Sequence, residues 1–239
     1  MRANNMDHEH AIVVGGSMAG LLTACVLSDR YQRISLVERD TLPTQPQHRR
    51  GVPQSRRTHG LLASGSNVLE KFFPGISDSL VDAGGLTCDF VRDCRWFFEG
   101  ACLAVEFARS LPAPYIHEVV SRAEPLGDAA STRFPASTRQ RYEALKRFPS
   151  GYLVFGDAIC SFNPIYGQGM SVAALQAEEL EKSLAASGDD LAKVFFRRAA
   201  KVVDIPWSMA VGSDLRIPET VGPRTTGVRI NQLVYVKAP

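Results

Sequence analysis

The chain has 239 residues, 45% hydrophobic and 22% charged, enough for one large or two small domains of an ordinary globular protein. A formal net charge of +2 gives no strong field for nucleic acid or an anionic membrane surface. No apolar run reaches the roughly 18 residues of a membrane span, and the polar start MRANNMDHEH lacks a signal peptide's apolar segment, so a cytoplasmic location is expected. Cys25, Cys88, Cys94, Cys102 and Cys160 are odd in number and form no C-x-x-C, which fits reduced thiols and no metal site. His8 and His10, flanking Glu9, read as solvated residues of a flexible N-terminus.

The first informative stretch is AIVVGGSMAGLLTACVL, Ala11 to Leu27. Four apolar residues, mostly β-branched, predict a buried strand, and Met18, Leu21, Leu22, Cys25 and Val26 then recur at helical spacing. A strand, a glycine turn and a helix bring an anion to unpaired N–H groups and the positive end of a helix dipole. Gly15 allows the turn, Gly20 lets the helix lie near its strand, and Ser17 stands where the dinucleotide fingerprint has its middle glycine. A second strand is predicted over Arg33–Asp40, and Glu38 lies 18 positions beyond Gly20. That offset suits a carboxylate accepting hydrogen bonds from ribose hydroxyls, which favours NAD or FAD over NADP. Two other readings attach to these residues. Glu38 could be a solvated acid at a strand end, and Gly15–Ala19 also resembles the nucleophile elbow of α/β-hydrolases. Against the elbow, Ala19 replaces its last glycine, no earlier strand supplies an oxyanion hole, and Glu38 goes unexplained.

A polar loop follows, with Arg49, Arg50, Arg56 and Arg57 able either to hold a pyrophosphate or to remain solvated. Helices are predicted over Leu61–Phe73 and Ile76–Ala83, ending at Gly84-Gly85. The near-alternation of Phe90, Arg92, Trp96, Phe98, Leu103, Val105 and Phe107 around Glu99-Gly100 predicts a hairpin within Asp89–Phe107. A short helix at Tyr115–Arg122 and a basic helical segment at Ser137–Arg147 come next.

The second informative stretch runs from Gly151 to Ala186. A buried strand, Tyr152–Phe155, leads to Gly156-Asp157, then a loop with Pro164, Gly167 and Gly169, then a long helix striped by Val172, Leu175, Leu180 and Leu184. A glycine-bearing loop again opens a helix, and Asp157 is placed to hydrogen-bond a polyol hydroxyl. A further helix is predicted over Asp189–Val203, with a surface-wrapping tail from Pro206 onward.

Together GGSMAG, Glu38, Gly156-Asp157 and Pro164-Ile165-Tyr166-Gly167-Gln168-Gly169-Met170 resemble the FAD-dependent aromatic-hydroxylase type of flavoprotein monooxygenase. The resemblance covers about residues 11 to 75 and 110 to 230, and its late motif is the more specific. It implies an α/β fold: a Rossmann-like, βαβ FAD-binding domain with a truncated substrate-domain sheet and C-terminal helices. It divides the chain into the N-terminal half of the FAD-binding domain (1–88), a substrate-domain hairpin remnant (89–112), the C-terminal half (113–205) and a tail (206–239). It implies an oxidoreductase that uses NAD(P)H and O2 to hydroxylate an aromatic or polyketide-like small molecule.

In that family the Gly-Asp aspartate binds the ribityl chain of FAD, and the Pro-to-Gly loop faces the flavin's pyrimidine side. The implied cofactor residues are Gly15, Ser17, Gly20, Glu38, Gly156, Asp157, Pro164, Gly167, Gln168, Gly169 and Met170, with the phosphate-facing arginine carried onto Arg50. No catalytic residue is implied, since the cofactor carries the chemistry, and no oligomeric state. The sequence departs from the family in lacking the mid-chain Asp-Gly motif and the substrate-domain sheet, a deficit on the order of a whole domain. Two alternatives follow from that deficit: a non-catalytic remnant in a binding or partner role, and a flavin-dependent reductase or halogenase on the same fold.

Overall fold

The computed structural model describes residues 8–45, 47–56, 59–89, 118, 121–122, 134–186 and 190–224. The chain divides into two compact units, 1–79 with 134–239 and 80–133, and the boundary falls inside one short helix. The predicted hairpin lies outside the described residues apart from Asp89. Of the predicted Tyr115–Arg122 helix, only Glu118, Ser121 and Arg122 are described, all helical.

The first unit opens with β1 (His8–Val14), α1 (Met18–Ser28) and β2 (Tyr31–Val37), a right-order βαβ in which the strands pair parallel, Ala11 beside Ile34 and Val14 beside Val37. Parallel strands require a crossover, and an α-helix is the usual one. The register decides which face is apolar inward. Val13 is buried under α1, whereas Ile12, Val14 and Val37 on the other face are 62%, 83% and 52% exposed.

The strand starts earlier than its apolar run. His8, Glu9 and His10 belong to β1 and not to a loose N-terminus, because His10 exchanges hydrogen bonds with Ser35 and Arg33 across the ladder. β2 likewise begins at Tyr31 and stops before Glu38.

Two helices follow, α2 (Ala63–Phe72) and α3 (Ile76–Asp82). At their junction the Glu70 carboxylate accepts hydrogen bonds from the Gly75 and Ser77 backbone N–H groups and from the Ser77 hydroxyl, so it caps the helix that follows. These donors, Gly75 N–H foremost, hold its pKa below the ordinary value. In the second unit the described chain leaves α3 through a turn at Gly84 and Gly85.

The later part of the first unit differs from the sequence expectation in three places. Ser137–Arg147 is not a helix: β3 (Thr138–Arg139) pairs antiparallel with β4 (Cys160–Ser161), and one 3₁₀ turn spans Tyr142–Ala144. Arg139 explains the change, since its guanidinium reaches Asp204 at 2.7 Å and so ties the segment to a distant helix. Tyr152–Phe155 is extended but forms no ladder among the described residues. Burial of Val154 and partial burial of Leu153 and Phe155 account for its apolar run without a sheet partner. The third difference is the C-terminal tail. The last helix, α5 (Leu191–Asp214), continues through Pro206, because Ala210, Gly212 and the following Leu215 are buried and Trp207 packs beside Phe162.

α4 (Gly169–Ala186) is the centre of the unit, with α1, α2 and α5 all packed on it. It is buried around much of its circumference, through Val172, Ala173, Ala174, Gln176, Ala177 and Leu180, so the single stripe expected from sequence is too narrow. Alanines suit this position because they let neighbouring helices approach closely. The core also takes Leu22 and Val26 from α1, Val68 from α2, and Phe195, Phe196, Ala199 and Val203 from α5. Phe155 stacks on Phe195, and Phe148 meets Phe196 edge to face. Cys160 is buried within this core, which pushes its thiol up to about 12 and leaves it chemically quiet. The described part of the protein is thus mixed helix with two small two-stranded sheets, α/β in character. Among the described residues no helix is long and apolar enough to cross a membrane.

Candidate functional site

The glycine turn between β1 and α1 is built by close approach. Gly15 has φ +107°, a conformation that glycine adopts without strain, and its N–H donates to the Val37 carbonyl at 2.8 Å. A Cβ on Gly20 would lie 1.8 Å from the Gly15 carbonyl oxygen, so only glycine lets the helix pass this near the turn. Ser17 is the N-cap of α1, yet its side chain makes no capping hydrogen bond, and the first turn holds no acid. The leading N–H groups of α1 therefore remain open to an outside acceptor.

Glu38 follows β2 and folds back onto this turn. Its carboxylate accepts from the Gly16 N–H at 2.6 Å and the Asp40 N–H at 3.1 Å, with Arg49 3.4 Å away. Hydrogen bonds from Asp40 and then Gly16, with a smaller contribution from Arg49, hold its pKa below the usual carboxylate range. Part of its accepting capacity is thus spent on the turn itself. The arginine that reaches the site is Arg49, which also donates to the Gly16 carbonyl at 2.9 Å; Arg50, one position on, is exposed. Arg49 Nη1 is buried and has no hydrogen-bond partner among the described residues.

The late motif meets this turn. Gly156 has φ +65°, and a Cβ there would lie 2.7 Å from Ala19 Cβ in the first turn of α1. Its N–H donates to the Gln176 Oε1 at 2.9 Å, anchoring the Gly-Asp turn on α4. Asp157 heads the same 3₁₀ turn, and its side chain opens onto solvent while surrounding protein desolvates it enough to raise its pKa. Its carboxylate makes no hydrogen bond to another described residue.

Asn163 caps the 3₁₀ turn Pro164–Tyr166, accepting from the Ile165 N–H, and Gly167 closes it in the left-handed region at φ +60°. Gln168 and Gly169 lead into α4, where Met170 is half-buried. Gln168 Oε1 is buried without a hydrogen-bond partner among the described residues. Ser171, one turn in, accepts from the Leu62 N–H at 3.0 Å and touches Gly65 so closely that a Cβ there would lie 2.7 Å from its Cα.

The structure thus brings Gly15, Ser17, Gly20 and Glu38 to one turn and sets Gly156-Asp157 against it, with the Pro164–Met170 loop opening the helix that carries Gln176. Sequence reasoning missed Gln176, whose only signal is an amide among alanines on a buried helix. Of the two adjacent arginines, Arg49 contacts Glu38 and the Gly16 carbonyl, while Arg50, onto which the phosphate-facing role was carried, is exposed. An open groove of about 560 Å³ lined by Glu179, Val194, Arg197, Arg198, Lys201 and Val202 contains none of these residues.

No family model matches the chain. It is similar to Protein Rv3254 of Mycobacterium tuberculosis (strain ATCC 25618 / H37Rv), 23% identical over 380 aligned residues that take in 87% of this chain and 80% of that protein. Because this chain has 239 residues, at least 141 of those 380 positions stand opposite gaps in it.

Proposed function

We propose that the chain is an internally shortened flavoprotein of the FAD-dependent aromatic-hydroxylase type, with a Rossmann-like FAD-binding half. The observation that carries this reading is the meeting of two sequence-distant glycine turns, Gly156 against Ala19, beside an uncapped helix N-terminus. The residues present fit the group. Open N–H groups of α1 and Arg49, whose Nη1 makes no hydrogen bond among the described residues and lies 3.4 Å from Glu38, suit a pyrophosphate, Asp157 suits a polyol, and Gln168 Oε1, without a hydrogen bond among the described residues, suits an imide N–H. Ser17 can add a hydroxyl donor where the fingerprint has glycine.

When bound, FAD would supply redox chemistry with NAD(P)H and O2 toward an aromatic or polyketide-like small molecule. The chain's own part is binding and orientation. Gly20 keeps α1 close enough for its dipole to act, Gln176 fixes the Gly-Asp turn, and Glu38 shapes the turn while keeping acceptor positions for a ribose.

The test is the visible absorbance of purified, desalted protein, before and after incubation with FAD and a second desalting. A retained flavin spectrum is expected, and Asp157→Ala should lower the flavin retained by roughly tenfold, the loss of one charge-assisted hydrogen-bond set. Flavin content unchanged in Asp157→Ala would remove the assignment of that residue.

A second reading is a non-catalytic remnant with a binding role. It is favoured by the β1–β2 sheet, two-stranded among the described residues, with its exposed Ile12, Val14 and Val37, and by the 141 or more unmatched positions. Protein that stays colourless after incubation with FAD would support it.

A further inference from the structure

The segment that opens α4 is a single 3₁₀ turn with few bonds of its own: Gly167 N–H to the Pro164 carbonyl at 3.0 Å, Tyr166 N–H to the Asn163 carbonyl at 3.3 Å and Ile165 N–H to Asn163 Oδ1 at 3.3 Å, with Asn163 N–H tethered to Ser137 Oγ at 3.1 Å. Short 3₁₀ turns have poor hydrogen-bond geometry and do not hold themselves. Two of its side chains converge on one atom outside the loop. Tyr166 Oη donates to Asp214 Oδ1 at 2.8 Å, and Asn163 Nδ2 donates to the same oxygen at 3.0 Å.

Asp214 is the last residue of α5, where the negative end of the helix dipole disfavours a carboxylate. An acid at that place acts against its own helix and is compensated from the loop. The Asn163 amide donates at any pH, and burial and then Asp214 itself raise the Tyr166 pKa, so its hydroxyl keeps its proton.

We propose that Asp214 is a positioning residue. From the C-terminal end of α5 it latches the Asn163–Gly167 turn in the conformation that delivers Gln168, Gly169 and Met170 to the candidate site. α5 runs eight residues past Pro206, which carries the Asp214 carboxylate to the loop. The part of the proposal that concerns the cofactor rests on the FAD reading above, whereas the latch itself does not.

Hydrogen exchange of the loop amides in cofactor-free protein tests the latch directly, comparing wild type with Asp214→Ala, Asp214→Asn and Tyr166→Phe. Asp214→Ala should speed exchange of residues 165–168 by roughly tenfold or more, as expected from losing two hydrogen bonds to a charged acceptor. Asp214→Asn keeps an oxygen that accepts from Tyr166 and should restore most of the protection. Tyr166→Phe, which deletes one hydroxyl and leaves the packing, should give a smaller acceleration even if Asp214→Ala does not fold.

With FAD, the apparent Kd should rise about tenfold in Asp214→Ala, in proportion to the lost population of the competent loop, and return toward wild type in Asp214→Asn. Loop exchange that is unchanged in Tyr166→Phe and in whichever Asp214 variant folds would overturn the latch, as would Asp214→Asn behaving as poorly as Asp214→Ala. Wild-type protein that binds no FAD but shows the expected exchange pattern would sink the cofactor reading and leave the latch standing.

Discussion

Gly20 and Gly212 are both helical glycines, and the difference between them separates a site requirement from a packing accident. A methyl on Gly20 runs into the Gly15 carbonyl oxygen, while one on Gly212 meets nothing within 4 Å. Gly20→Ala should therefore destabilise by about 1–3 kcal/mol through overpacking, and Gly212→Ala should be neutral or stabilising by up to about 1 kcal/mol through helix propensity. Urea midpoints of the two variants check this. Asp157 makes a different kind of residue-scale statement. Its pKa is raised in the folded protein by desolvation, so the folded state favours the neutral carboxyl. That stabilising preference is fully present below the unfolded value of 3.8 and is lost as pH rises through the raised folded value. Asp157→Asn should thus raise the Tm of the cofactor-free protein at pH 7, with the gain shrinking toward pH 4. A gain that is the same at both pH values would mean the carboxylate is not desolvated.

At the scale of elements, α5 shows tertiary burial overriding a local breaker. Proline lacks the N–H that would bond the Val202 carbonyl and crowds that turn, at about 3 kcal/mol in a helix interior. The helix continues because Ala210 and Leu215 enter the core beyond the proline and Asp214 reaches the loop. Pro206→Ala should then stabilise by about 1–3 kcal/mol without changing the fold, read by chemical denaturation and by far-ultraviolet dichroism. A loss of stability would mean that the proline ring itself fills space beside Phe162 and Trp207. The same logic explains Arg139, whose ion pair with Asp204 on α5 accompanies a short strand where a basic helix was expected.

For the molecule as a whole, the proposed cofactor should act as a folding ligand. The site is assembled from residues 15–49 and 156–176, so a ligand that binds only this assembly stabilises it by mass action. FAD at 100 times its Kd should add about 2.7 kcal/mol, seen as a rise in Tm that depends on FAD concentration. A Tm independent of FAD would favour the remnant reading.

The sequence by itself determined the local parts of this protein. Glycine spacing, apolar period and a terminal acid specify β1, α1, β2 and the reach of Glu38, because turns and helix starts depend on residues a few positions apart. Gly156 and the Pro164–Met170 loop were legible for the same reason, as was the helix that follows. The tertiary structure alone decided what those parts touch. It set Gly156 against Ala19, brought Arg49 and not Arg50 to Glu38, buried Gln176, placed Asn163 and Tyr166 on Asp214, extended α5 through a proline, and turned Ser137–Arg147 into a strand and a 3₁₀ turn. Each of these depends on a contact between residues far apart in the chain, and such contacts leave no period or spacing in a sequence for local physics to read.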